Sequence, residues 1–158
     1  MRVIGVDVTI VEVPQIEAQA VAGQVQQQIV CNTSEAVMIQ TRNSFEAAQI
    51  TKKEYLEGTF VQEKQTFQSE IFVAEENLRR ARQYALYSER LASKGYVTAL
   101  QLEGDRFAVA KFQNELDAAR TKLRVLQQYT RAKMLKQFDS DIKTAQAQWK
   151  AEQSSYKL

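Results

Sequence analysis

After Pro14 the chain runs 144 residues without another proline, and in that stretch glycine occurs only at 23, 58, 95 and 104. Proline breaks helices, glycine loosens them, and both punctuate strands and turns. A stretch so nearly free of both can run as very long helices. A sandwich, barrel or doubly wound sheet needs turn signals far more often. Twenty glutamines and nineteen alanines among 158 residues, both good helix formers, push the same way. The length suits one domain or one long element.

Composition removes most chemistry. There is no histidine, the commonest general base and metal ligand. A lone Cys31 excludes an intramolecular disulfide framework and any multi-cysteine zinc site. With no second cysteine or histidine to activate it, Cys31 reads as a small apolar filler. No glycine-rich phosphate loop exists. The balance of 21 Lys+Arg against 19 Asp+Glu is too near neutral for a nucleic-acid footprint. Glu75-Glu76 and Arg79-Arg80, Arg82 read as helical ion pairs on a solvated face, where nothing shifts a carboxylate into acid–base work. No catalytic residue, cofactor, metal or nucleic-acid partner is expected.

Residues 1–13 alternate Ile4, Val6, Val8, Ile10 against Gly5, Asp7, Thr9, Val11, the period of a strand. Asp7 and Glu12 interrupt the apolar run, so it is read as a strand and not a secretory signal. No apolar run approaches the roughly 20 residues a membrane span needs. Pro14 closes an extended segment, 1–14, and a helical hairpin follows over 15–158, with its tip at 94–98. Gly23 and Cys31-Asn32-Thr33-Ser34 are weak points where a break or second start can fall, with Ser34 as cap for a helix from Glu35. Gly58-Thr59 predicts a kink or loosening.

From Phe60 the apolar positions become regular. Phe67, Ile71, Ala74, Leu78, Ala81 and Ala85 advance in steps of four and three, a heptad seam. A second seam runs through Leu102, Val109, Phe112, Leu116, Ala119, Leu123 and Leu126. Thr130, Met134, Phe138 and Ile142 then follow at steps of four, a stutter that locally unwinds a supercoil, before Ala145 and Trp149.

Between the seams lies a stop and a start. Gly95 sits at the left-handed position past a helix end, with Leu91 and Tyr96 placed for the hydrophobic contact of a Schellman motif. Thr98 and Gln101 form a T-x-x-Q capping box, with Val97 and Leu102 as its hydrophobic staple. If the chain folds back here, facing residues have constant summed numbers. Leu91 with Leu102, Ala81 with Phe112, Ala74 with Ala119 and Phe67 with Leu126 share one sum, 193. Ala85 with Val109, Leu78 with Leu116, Ile71 with Leu123, Leu56 with Phe138, Lys53 with Asp141 and Phe45 with Trp149 share the next, 194. Small residues face large ones, as an interdigitated seam requires. The expected fold is all-α: a long antiparallel two-helix coiled-coil hairpin with a short N-terminal β-like segment. Arms from about Glu35 to Ser93 and from Thr98 to about Tyr156 would each be roughly 90 Å long, with no globular core or pocket. Stability from a single seam predicts opening at the free end.

The hairpin and its tip, ERLASKGYVTALQLEGDRFAVAKFQNELDAARTKL, resemble the membrane fusion proteins, the HlyD-like periplasmic adaptors of secretion and efflux systems. Family tips read R-x-x-x-L, six residues, then S-x-x-x-L. Leu91 matches the first leucine, Thr98 the serine and Leu102 the last leucine. Tyr87 stands in the arginine's place, with Arg90 near but out of register. The resemblance covers about residues 35–156. It implies a periplasmic, inner-membrane-associated adaptor bridging an inner-membrane transporter and a TolC-like outer-membrane channel. The channel would dock on Arg90, Leu91, Lys94, Thr98 and Leu102. The transporter would be met through domains other than this hairpin, and the full-length protein would be a homo-oligomer. No anchor and no lipoyl half is recognised before residue 15 and nothing follows Leu158, so the chain reads as the hairpin portion of such a protein, with 1–13 a remnant strand. The alternative is a stand-alone coiled-coil structural or chaperone-like protein in which the tip is a plain connection.

Overall fold

The computed structural model describes residues 12–157, with side chains from Pro14 onward. Helix α1 spans Glu12–Glu54 and ends in a π turn, Tyr55–Thr59; α2 spans Phe60–Ser93. After the tip, α3 spans Ala99–Val125, a second π turn occupies Leu126–Thr130, and α4 spans Arg131–Lys157. The protein is all-α among the described residues, with two long helical stretches packed against each other as the seams require.

The start of the chain differs from expectation. The extended segment expected over 1–14 lies outside the described residues as far as residue 11, and Glu12, Val13 and Pro14 are already helical. Pro14 sits in the first turn, where backbone N–H groups have no intrahelical partner and a missing one costs nothing. The break allowed for at Gly23 or at Cys31–Ser34 is absent, because α1 is continuous through both. Ser34 is therefore interior and caps nothing. One glycine costs about 1 kcal/mol, too little to interrupt so long a helix. The Thr33 hydroxyl bonds back to the Ile29 carbonyl at 2.7 Å instead of competing with the helix.

The chain divides into two compact units, one joining the chain up to Ala48 to the chain from Asp141, the other Gln49–Ser140. In the first, Phe45 stacks on Trp149 with ring centroids 5.6 Å apart, the pair the register predicts. In the second, α2 packs on α3. Ala74, Leu78 and Leu116 form one buried cluster onto which Ile71, Val109 and Phe112 pack, and Ala81, Ala85 and Ala119 are buried along the same two helices. Burial of each large apolar side chain contributes about 1.5–3 kcal/mol. Ion pairs flank the seam from helix to helix: Glu75 with Arg120 at 3.0 Å, Glu70 with Lys122 at 3.1 Å and Glu89 with Arg106 at 2.9 Å. They are solvent-exposed and each contributes about 1 kcal/mol at most, so the apolar seam holds the arms together. Glu76 pairs with Arg79 along α2 as expected, at 2.7 Å. Glu75 instead reaches across to Arg120.

Both π turns fall where the sequence is irregular. The Phe60 N–H donates to the Tyr55 carbonyl and the Arg131 N–H to the Leu126 carbonyl, the i→i+5 bond of a π turn. The loosening at Gly58-Thr59 takes this form, and the Thr59 hydroxyl bridges the turn by donating to Glu54 Oε1 at 2.6 Å. The second π turn opens the run of fours after Leu126. Widening the turn at Tyr55 also corrects the expected pairing of Leu56 with Phe138. Tyr55 is the buried residue, its ring 5.3 Å from that of Phe138, while Leu56 is only half-buried.

Candidate functional site: the hairpin tip

The tip is built by the local signals read from the sequence. Gly95 has φ +80°, a conformation only glycine adopts without strain. The Tyr96 N–H donates to the Leu91 carbonyl at 3.0 Å and the Gly95 N–H to the Ala92 carbonyl at 3.0 Å, the two bonds of a Schellman motif. Thr98 is extended, and its hydroxyl accepts from the Gln101 N–H at 3.2 Å, so one half of the capping box forms. The Leu102 N–H closes the first turn of α3 on the Thr98 carbonyl at 3.1 Å.

The five residues singled out from sequence all lie at this turn, in two different roles. Leu91 and Leu102 are half-buried and Thr98 is committed to its cap. These three build the turn. Arg90 and Lys94 are exposed beside it. The side chains that the tip displays are others: Tyr96 is 75% exposed and Leu100 80%, with Phe107 at 72% further along α3. Tyr96 therefore gives little of its ring to the expected contact with Leu91. Leu100, Gly104 and Phe107 follow at steps of four and three, off the phase of the seam, and that second spacing was the signal that could have found them.

Behind the turn lies a further pair that the apolar seam list skips. Ser88 is buried, and its hydroxyl donates to the Asp105 carboxylate. Both fall in seam phase, three residues after Ala85 and four before Val109. With the Glu89–Arg106 ion pair beside it, this contact joins the last two turns before the tip.

Among the described residues no group of carboxylate and cysteine side chains is placed to hold a metal, and Cys31 is exposed and free. No described helix is long and apolar enough to cross a membrane. The arrangement offers surface for contact: a hydrogen-bonded turn with large apolar side chains turned outward and two cations beside it. No protein-family model, curated protein or solved structure matches the chain.

Proposed function

We propose that this chain is the hairpin of a periplasmic adaptor of a secretion or efflux system, its tip docking on a TolC-like outer-membrane channel. Other domains of the adaptor would meet the inner-membrane transporter. The observation that carries this reading is the display of Tyr96 and Leu100 on a turn that is closed by backbone bonds to Leu91 and Ala92 and by the Thr98 cap. Neither side chain is needed to close the turn, and both keep most of their surface in water. Large apolar side chains gathered at one place, with Arg90 and Lys94 as a polar rim, mark a contact surface. The contact is small, so its strength comes from several copies engaging one partner together.

The test replaces Leu100 in an assembled adaptor, transporter and channel. Leu100→Asp should abolish export while circular dichroism shows unchanged helicity, because Leu100 is exposed and outside the seam. Normal export by that variant would make the tip a plain connection and leave the stand-alone coiled-coil reading in its place.

A further inference from the structure

We propose that the π turn Tyr55–Thr59 is a two-position joint. It can hand its extra residue one turn back along the chain and so exchange Tyr55 for Leu56 against Phe138. The inference goes beyond the adaptor reading and does not rest on it, since every residue it uses lies in the Gln49–Ser140 unit.

A π turn is an α-helix that carries one residue more than the turn needs. In an α-helix the Phe60 N–H would take the Leu56 carbonyl, four positions back. Here it takes the carbonyl of Tyr55, five back, and Tyr55 lies beneath Phe60 with ring centroids 6.2 Å apart. One exchange of bonds separates the two arrangements. When the Phe60 N–H moves to the Leu56 carbonyl, Leu56 takes the inward place. The extra residue then passes to the preceding turn, where the Leu56 N–H reaches back to the Thr51 carbonyl. The seam above Phe60 keeps its place throughout.

Opposing contacts set the balance between the two. The present arrangement buries the Tyr55 hydroxyl without a hydrogen-bond partner among the described residues. Leu56, now half-buried, would carry no such cost in the same place. What holds the present arrangement is the Thr59 hydroxyl, which donates to Glu54 Oε1 at 2.6 Å. These residues are five positions apart, a spacing that the wide turn brings together. In an α-turn the neighbours are three and four apart, so the exchange breaks this latch. Gly58, inside the turn, leaves the backbone free to rearrange.

The second π turn supplies the contrast. There the Arg131 N–H takes the Leu126 carbonyl, and Leu126 is buried. The same exchange would bring Gln127 inward in place of a leucine and bury an amide that needs partners. The sequence thus gives the first turn an apolar residue for its second position and the second turn a polar one. In its second position the first turn also moves the Tyr55 phenol to the flank of the helix. A partner that contacts the phenol there would draw the joint to that position.

The test follows leucine methyl groups in the whole 158-residue chain by NMR relaxation dispersion, which detects microsecond-to-millisecond exchange. Leu56 should show exchange and Leu126 none. Thr59→Val removes the donor and keeps the shape, so it should raise the population of the second position about tenfold. It should also strengthen the Overhauser contact of Leu56 with Phe138 at the expense of that of Tyr55. Adding Tyr55→Phe to Thr59→Val removes the unpaired hydroxyl and should lower that population about fivefold. A parent that is flat at Leu56 but shows exchange once Thr59→Val is made also supports the joint, with a rarer second position. Leu56 flat in both proteins, exchange at Leu126 equal to that at Leu56, or a population that Tyr55→Phe does not lower would each overturn it.

Discussion

The buried Ser88 hydroxyl donates to the Asp105 carboxylate of the facing helix, and Ser88 is the one buried polar residue in the described part of the seam. A polar contact in an otherwise alanine- and leucine-lined interface resists slippage, because any shift leaves the carboxylate against apolar groups. Ser88→Ala should therefore lower stability by about 1–3 kcal/mol, through the acceptor left without its donor. Ser88→Ala/Asp105→Leu should recover most of that loss, since removing both polar partners is nearly neutral. Urea melts of both variants decide it. A single variant as stable as the parent would show that the contact does not pin the arms.

The register of the arms has a covalent test. Leu78 and Leu116 are buried in one cluster, at 4% and 3% exposure. In a Cys31→Ser background, Leu78→Cys/Leu116→Cys should crosslink within one chain under mild oxidation, read as a faster-migrating monomer on a non-reducing gel. Crosslinks found only between chains would contradict the hairpin.

Tyr55 places a hydroxyl in the seam with no hydrogen-bond partner among the described residues. Tyr55→Phe should raise stability by about 1 kcal/mol, by removing a polar group that is desolvated without compensation. Burial, joined by the negative charge of Glu63 and opposed by Arg131, holds the phenol pKa above its ordinary value. The folded chain thus keeps this proton more tightly than the unfolded chain. Its contribution is fully present below the ordinary phenol range and is lost as pH rises through the raised value. Alkaline melts of the parent should fall more steeply than those of Tyr55→Phe. Parallel alkaline curves would remove Tyr55 as the cause.

The turn should be sensitive at two backbone-directed positions. Thr98→Ala removes the acceptor for the Gln101 N–H and should cost about 1 kcal/mol. Gly95→Val forces a β-branched residue to positive φ and should cost more. Equal melting of parent and both variants would mean that these contacts contribute nothing to the fold.

The tip was legible to the residue because its signals are local. A Schellman motif and a cap are made by residues within a few positions of one another, so Leu91, Gly95, Tyr96, Thr98 and Gln101 carry their geometry wherever the chain goes. The division of labour among the candidate residues was not legible. Whether Leu102 builds the turn or faces a partner depends on how much of it α2 covers. Leu100 and Phe107 share no phase with the seam, which the spacing shows, but how much of each stays exposed is fixed only once α3 is docked.

Helix formation, the antiparallel fold-back and the pairing of Phe45 with Trp149 followed from the sequence alone. Scarce glycine and the lack of proline after Pro14 act along the whole chain, and the stop–start signal at the tip, with heptad spacing on either side, sets the register of α2 against α3. Tertiary structure decided what spacing leaves open. It chose Arg120 over a residue on α2 as the partner of Glu75, and it turned Tyr55 rather than Leu56 onto Phe138 through a π turn. It also buried Ser88 with Asp105 in a seam read as apolar. Each of these choices depends on which side chains meet across two helices, and that is settled only once the helices have packed.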